Sequence, residues 1–192
     1  MLFQYETDRL VLKVLTPESA PMVLDFYNRD RELFEKYEIE RSPEFYSVAY
    51  LQKVLRYEYN LFQKGTLARY YVFLKCRPSQ IIGTVCLHNI TRTAFMSCEI
   101  GYKFSSQYHH QGYATEAINR CMNIAFYEIG LHRITATVCF GNKASAKILE
   151  NLGFSVDGIL RDYLILNGRF TDHALYSCLS TDYRPISSLH NQ

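Results

Sequence analysis

The chain has 192 residues, a formal net charge of +2 and 48% hydrophobic residues, with sixteen Tyr, twelve Phe and no Trp. That length and apolar content imply one domain with a sizeable core. The balanced charge, with no basic block or acidic tail, leaves no footprint for nucleic acid.

The N-terminal Met1-Leu2-Phe3-Gln4-Tyr5-Glu6 carries an early acid and no long apolar run, so a secretory signal is not expected. No stretch reaches the ~18 apolar residues that read as a membrane span, and a cytoplasmic chain without membrane contact is expected. Residues 9–15 alternate as a strand, with Leu10, Leu12 and Val14 on one face. Thr16-Pro17 reads as an N-cap followed by Pro at the first helical position, opening a helix to about residue 29. Residues 32–43 are charged and irregular. Ser47 is placed to cap a second helix, with Val48, Leu51, Leu55 and Phe62 near helical spacing and Gly65 at its end. Residues 70–76 form the next strand, and Arg77-Pro78-Ser79-Gln80 reads as a turn. Residues 81–90 and 95–104 are two further strands.

A helix is predicted over about 115–129, turning Ala117, Ile118, Cys121, Ile124 and Ala125 toward a core. The alternation in 133–139 predicts a buried strand, and 143–152 a short helix closed by Gly153. Residues 156–166 and 171–180 are strand-like and joined by Asn167-Gly168, a strong hairpin signal. A polar tail, 183–192, follows a domain of 1–182. The sum is a mixed α/β sheet of about seven strands with about four helices.

Cysteines at 76, 86, 98, 121, 139 and 178 form no Cys-x-x-Cys pair and no zinc spacing. Free thiols in a reducing compartment and no metal site are expected. The adjacent His109 and His110 offer poor two-ligand geometry and have no evident third ligand. The most informative stretch is Gln107-Tyr108-His109-His110-Gln111-Gly112-Tyr113-Ala114-Thr115-Glu116-Ala117. A Gly-containing loop at the mouth of a helix presents unpaired backbone N–H groups, which together with the helix dipole attract phosphate.

Four markers then fall in order. They are Glu6-Thr7-Asp8-Arg9-Leu10-Val11-Leu12, then Glu99-Ile100-Gly101-Tyr102, then Gly112-Tyr113-Ala114-Thr115-Glu116-Ala117, and last Asn142-Lys143-Ala144-Ser145 with Leu152-Gly153-Phe154. Together they resemble the GNAT superfamily of N-acetyltransferases, in the branch of the RimJ and RimL protein N-terminal acetyltransferases, over nearly the whole chain. The resemblance implies a GNAT fold with a mostly antiparallel sheet whose fourth strand splays from its neighbour.

It also implies acetyl-CoA as acyl donor. His109, Gln111, Gly112 and Ala114 fall on the family's phosphate-loop pattern, with backbone N–H groups of Gln111, Gly112, Tyr113, Ala114 and Thr115 holding the phosphates. The chain departs from that pattern at His109, where the family usually has Arg or Gln, and at His110, where it usually has Gly. Backbone groups of Tyr102 and Phe104 are implied partners of the pantetheine arm, with the Phe104 N–H facing the thioester oxygen. Asn142 is implied for a pantetheine amide and Ser145 as the acid near the CoA sulfur. Alternation puts Glu99 on the face opposite Ile100, and a lone acid in an apolar strand is suited to receive the amine proton. No covalent enzyme intermediate is needed.

Three readings compete: acetylation of a protein N-terminal amine, acetylation of a small amine such as a polyamine, amino sugar or amino acid, and a CoA-binding module without turnover. The acceptor side is expected from about 30–69 and the 162–172 hairpin. There Glu32, Glu35, Glu38 and Glu40 would suit a cationic acceptor or form a solvated charge run. A homodimer through the late strands is the resemblance's remaining suggestion.

Overall fold

Eight strands join in one sheet in the computed structural model, which describes residues 1–185. In chain order the strands are β1 (Gln4–Glu6), β2 (Leu10–Lys13), β3 (Ala68–Leu74), β4 (Arg77–Thr91), β5 (Ser97–Phe104), β6 (Arg133–Cys139), β7 (Ser155–Leu166) and β8 (Arg169–Leu179). Across the sheet they run β1-β2-β3-β4-β5-β6-β8-β7. Every neighbouring pair is antiparallel except β5–β6, which is parallel. The mixed α/β fold is the expected one, with one strand more. Gln4–Glu6 is too short for a period of two to register, and a single inward residue, Tyr5, holds it down.

Five helices flank the sheet: α1 (Ala20–Arg29), α2 (Arg31–Glu35), α3 (Val48–Lys64), α4 (Tyr113–Asn123) and α5 (Lys143–Asn151). Leu10, Leu12, Val72, Val85, Ile100 and Ile134 face α4 in the larger core. Tyr71, Phe73 and Ile81 face α1 and α3 in the smaller one, against Phe26, Leu51 and Leu55. β3 and β4 feed both cores because alternate side chains leave on opposite faces.

Capping chemistry explains most helix ends. Ser47 accepts from the Tyr50 N–H at 3.3 Å, and Gly65, at φ 70°, closes α3. Thr16 makes no cap bond; a short 3-10 turn, Pro17–Ser19, intervenes before α1. The run after α4 ends in a π turn, Ile124–Glu128. The irregular segment holds α2, a single helical turn and a half that is too short to show periodicity. Residues 77–80 belong to β4, and the hairpin turn is Lys75-Cys76. Pro78 is tolerated because 78–80 bulge out between the Phe73↔Ile81 and Leu74↔Arg77 pairs. Asn167 and Gly168 take φ 50° and 74°, the twist a two-residue hairpin needs. Within the expected tail Tyr183 is buried, packing on Phe126; residues 186–192 lie outside the described residues.

Candidate active site

β5 and β6 pair over only three positions: Ser97↔Arg133, Cys98↔Ile134 and Glu99↔Thr135. Beyond them β5 continues on β4 alone, to Phe104↔Gly83, and β6 on β8 alone, to Cys139↔His173. The two strands therefore part like a V. The Ser105 N–H donates to the Ile82 carbonyl at 2.9 Å, so at the end of β5 the odd-numbered backbone groups turn to β4. By alternation those of Tyr102 and Phe104 turn into the opening. The Phe104 ring lies over Gly83, where a Cβ would stand 2.3 Å from its Cδ1. Gly83 is thus a site-building residue that no motif marks.

The loop between β5 and α4 follows the opening. His109 turns back, its Nε2 2.9 Å from the Phe104 carbonyl oxygen. His110 stands at φ 59° and Gly112 at 78°. His110 thus holds the left-handed conformation that favours Gly, so the loop keeps the backbone shape of a glycine there at a cost in strain. Among the described residues the N–H groups of Gln111, Gly112, Tyr113, Ala114 and Thr115 have no acceptor; the first turn of the helix is closed by the Glu116 N–H on the Gly112 carbonyl at 3.0 Å. These are the donors a phosphate needs.

Arg9 braces the loop from behind. Its Nη1 donates to the Gln111 carbonyl at 3.0 Å, its Nε to Glu116 at 2.7 Å, and its guanidinium lies 4.4 Å from the Tyr113 ring centre. Burial pushes the Glu116 carboxyl up, but bonds from Thr7 and Arg9 outweigh it and hold it below the ordinary value. Arg9 entered the sequence reading only as a marker, since its partner lies over a hundred residues away. A second brace comes from Asp30, which is 8% exposed. It accepts from the Ser105 hydroxyl, the Ser106 hydroxyl and, at 3.1 Å, the Ser106 N–H. Burial raises this carboxyl, and the Ser105 and Ser106 donors more than compensate and keep it below the ordinary aspartate value.

Asn142 caps α5, its Oδ1 accepting from the Ser145 N–H at 3.2 Å. The Tyr102 hydroxyl reaches Ser145, 2.9 Å from its Oγ and 3.1 Å from its carbonyl. Burial drives the Tyr102 phenol up to about 12, which the Ser145 contact only partly offsets. Tyr102 therefore brings a protonated side chain as well as a backbone to the site. Tyr102 and Phe104 stand at the V, the loop 109–112 leads from it into α4, and the Tyr102 hydroxyl ties the start of α5 to β5.

Glu99 lies on the other face of β5, half-buried, with its Oε1 accepting from Asn89 Nδ2 at 2.7 Å. On that face a cavity of about 600 Å³ is walled by Tyr37, Arg41, Phe45, Tyr50 and Leu164. Its walls come from the segments expected to form the acceptor side. The four glutamates there are not all free charges. Glu35 is held by Arg31 at 2.9 Å and Tyr46 at 2.6 Å. Glu38 pairs with Lys103 and with Arg41 at 2.7 Å. Burial raises its carboxyl, but Lys103 and Arg41 prevail and lower it. Glu40 alone stands at the cavity with no ion pair among the described residues. No group of three or more metal-ligating side chains occurs among the described residues, and no helix there is long and apolar enough to cross a membrane.

The sequence profile of the acetyltransferase (GNAT) domain matches residues 9–155. The [ribosomal protein uS5]-alanine N-acetyltransferase of Escherichia coli is 28% identical over 93% of this chain and 92% of its own. The crystal structure of the ribosomal-protein-S5-alanine acetyltransferase of Vibrio fischeri superposes with a TM-score of 0.88 at 30% identity, covering 95% of this chain and 99% of that one. RimJ of Mycobacterium smegmatis, solved with a CoA disulfide, has the same fold at a TM-score of 0.84 and 24% identity, over 90% and 82% of the two chains.

Proposed function

Because the chain belongs to the GNAT acetyltransferase family, and is an acetyl-CoA-dependent N-acetyltransferase, we propose that its acceptor is a protein N-terminal amine and that the V between β5 and β6 is where transfer occurs. The observation that carries the reading is the parting of β5 from β6 after three pairs. It leaves the backbone groups of Tyr102 and Phe104 open beside the N-terminus of α4. The ribosomal-protein relatives support the acceptor class, as does a cavity of about 600 Å³, larger than one small amine requires.

In this reading the N–H groups of 111–115 bind the pyrophosphate, with Gly112 allowing close approach and His109 holding the Phe104 carbonyl. Tyr102 and Phe104 pair with the pantetheine arm, and the Phe104 N–H stabilises charge on the thioester oxygen. The second oxygen-and-nitrogen end of the Asn142 amide is half used by its cap bond, which leaves its NH₂ for a pantetheine carbonyl. Glu99 takes a proton from the incoming ammonium, and the free amine attacks the carbonyl directly. Ser145, with the Tyr102 hydroxyl behind it, protonates the leaving thiolate. The single catalytic domain is assigned to 1–182 and the protein to the cytoplasm, without nucleic-acid or membrane partners. The exposed Val156, Ile159 and Ile165 on the edge strand β7 suit a homodimer.

The test is calorimetric titration with acetyl-CoA, followed by acetylation assays on peptides with free N-termini and on spermidine. Micromolar-range binding with peptide acetylation is expected. Spermidine turnover without peptide turnover refutes the acceptor class, and absent binding refutes the assignment of the loop. Sedimentation as a monomer refutes the dimer.

A further inference from the structure

One imidazole on the acceptor face has no part in the scheme above. His88 lies on β4 directly opposite Glu99 in the ladder. The register breaks immediately after it, between His88 and Thr91, and Asn89 in the break stands at φ 52°. A non-glycine residue in that conformation is strained, and here it turns its amide onto the Glu99 carboxylate. The same irregularity leaves His88 leaning across β5. Its Nε2 lies 3.9 Å from the point where Gly101 would carry a Cβ. The ring thus occupies the gap that Gly101 leaves between Glu99 and Lys103, where the acceptor enters. His88 is half-buried, and among the described residues neither ring nitrogen has a hydrogen-bond partner.

The charged groups around it are few. Glu99 faces it from β5 and Arg69 acts on it from β3. Glu58 on α3 neutralises Arg69 at 2.6 Å. Burial is the strongest influence and pushes the His88 imidazolium below its ordinary pKa; Glu99 acts the other way and Arg69 reinforces burial. The imidazole is therefore a neutral acceptor at pH 7.

Resting on the acceptor reading above, we propose that His88 is the proton carrier that connects Glu99 to solvent, with Asn89 as the positioning residue that aims the Glu99 carboxylate. The proton count requires such a carrier. An acceptor ammonium has three N–H bonds and the product amide has one. One of the two protons lost ends on the CoA thiolate, and the other must leave the site. The first N–H bond breaks with its electron pair staying on nitrogen, and the proton goes to Glu99. His88 then takes it from the Glu99 carboxyl, which restores the carboxylate, and the imidazolium releases it to water. The amine attacks and the C–S bond breaks with its electron pair on sulfur; Ser145 protonates the thiolate, and the second N–H proton replaces the one given up by the Ser145–Tyr102 pair, so both hydroxyls end as they began.

The test is the pH profile of kcat with a peptide acceptor at saturating acetyl-CoA, for wild type, His88→Gln and Asn89→Ala, with melting curves to confirm folding. In wild type kcat rises with pH as the imidazole loses its proton. His88→Gln is expected to lower kcat at least ~10-fold, less than the ~10²–10⁴-fold of a group that takes the amine proton directly. It should move the acid limb to lower pH and leave KM for acetyl-CoA unchanged. His88→Ala, should His88→Gln fold poorly, is expected to recover activity when imidazole is added. Asn89→Ala is expected to lower kcat without removing the imidazole limb. A His88→Gln enzyme with wild-type kcat and an unmoved limb overturns the relay while leaving the acceptor reading intact. A wild type that binds acetyl-CoA but acetylates no peptide overturns the acceptor reading and the relay with it.

Discussion

Removal of the Asp30 carboxylate tests whether the acceptor-side helices set the geometry of the donor loop. Asp30 stands between α1 and α2, yet the three groups that donate to it belong to Ser105 and Ser106, the residues that follow Phe104. Ser105 is fully buried. A hydrogen bond to a charged group contributes about 1.5–3 kcal/mol, and removing one partner leaves the others unsatisfied. Part of that loss is recovered because the Ser106 groups are near water, so Asp30→Ala is expected to destabilise by about 3 kcal/mol. At about 2–4 °C per kcal/mol for a domain of this size, Tm should fall by about 6–12 °C. Asp30→Asn keeps an acceptor for the Ser106 N–H, and the serine hydroxyls can rotate to receive its NH₂, so about 1 kcal/mol is expected.

The pH dependence has a definite sign. A carboxyl held below its unfolded value stabilises the fold above that unfolded value, about 4, and the contribution is lost as pH falls through the folded pKa. The gap in Tm between wild type and Asp30→Asn should therefore be full at neutral pH and narrow below about pH 4. Because Ser105 leads directly from the open end of β5 into the loop, KM for acetyl-CoA should rise severalfold in Asp30→Ala. Calorimetric melting and steady-state kinetics measure both. An Asp30→Ala protein melting within about 2 °C of wild type, with unchanged KM, would show that the loop stands without this carboxylate.

Gly83→Ala puts a methyl group 2.3 Å from the Phe104 ring; a loss of about 1–3 kcal/mol by thermal melting and a fall in kcat are expected, and full stability would mean the ring can move aside freely. His110→Gly removes a left-handed penalty of about 1–2 kcal/mol but adds about 0.5–1 kcal/mol of backbone entropy, so the gain in stability should be at most about 1.5 kcal/mol. Since the loop is already formed with His110 in place, calorimetry should give an acetyl-CoA Kd close to wild type, and a tenfold tightening would mean the loop forms only on binding. Tyr102→Phe and Ser145→Ala should each slow turnover with acetyl-CoA binding nearly intact, and the double variant should be little worse than the poorer single, because the two hydroxyls are one hydrogen-bonded unit. With its phenol near 12, Tyr102 should add no basic limb to the pH–rate profile below about pH 11.

The loop and helix start around Gly112 were legible in the sequence because the chemistry that makes them is local. A phosphate needs consecutive N–H groups, these occur at a helix start, and a helix start is written in a few adjacent residues around Gly112. The capping of α5 by Asn142 and of α3 by Ser47 was readable for the same reason. The acceptor side depends on contacts that sequence spacing does not encode. Lys103 meets Glu38 across a loop, which removes Glu38 from the free acids a cationic acceptor would find. Asn89 reaches Glu99 only through a left-handed residue in a register break, and nothing in His88-Asn89-Ile90 announces the break. Pro78 looked like a turn because a Pro in a strand is tolerated only where a bulge frees it from pairing, and bulges depend on the partner strand.

The alternation of β5 carries a mechanistic consequence that both halves of the site share. Glu99 and Tyr102 are three residues apart, so their side chains leave on opposite faces of the sheet. The proposed base lies beside the α1–α3 layer, and the Tyr102 hydroxyl meets Ser145 beside α5. An acceptor on the first face and a thioester reached from the second can meet only through the sheet itself. In a fully paired β5–β6 ladder that line would be closed by hydrogen bonds. The ladder stops at Glu99↔Thr135, beside the proposed base, and the open backbone begins with the proposed pantetheine partners Tyr102 and Phe104. In the proposed scheme the place where pairing ends therefore sets where amine and thioester can meet, and one more β5–β6 pair would narrow that opening.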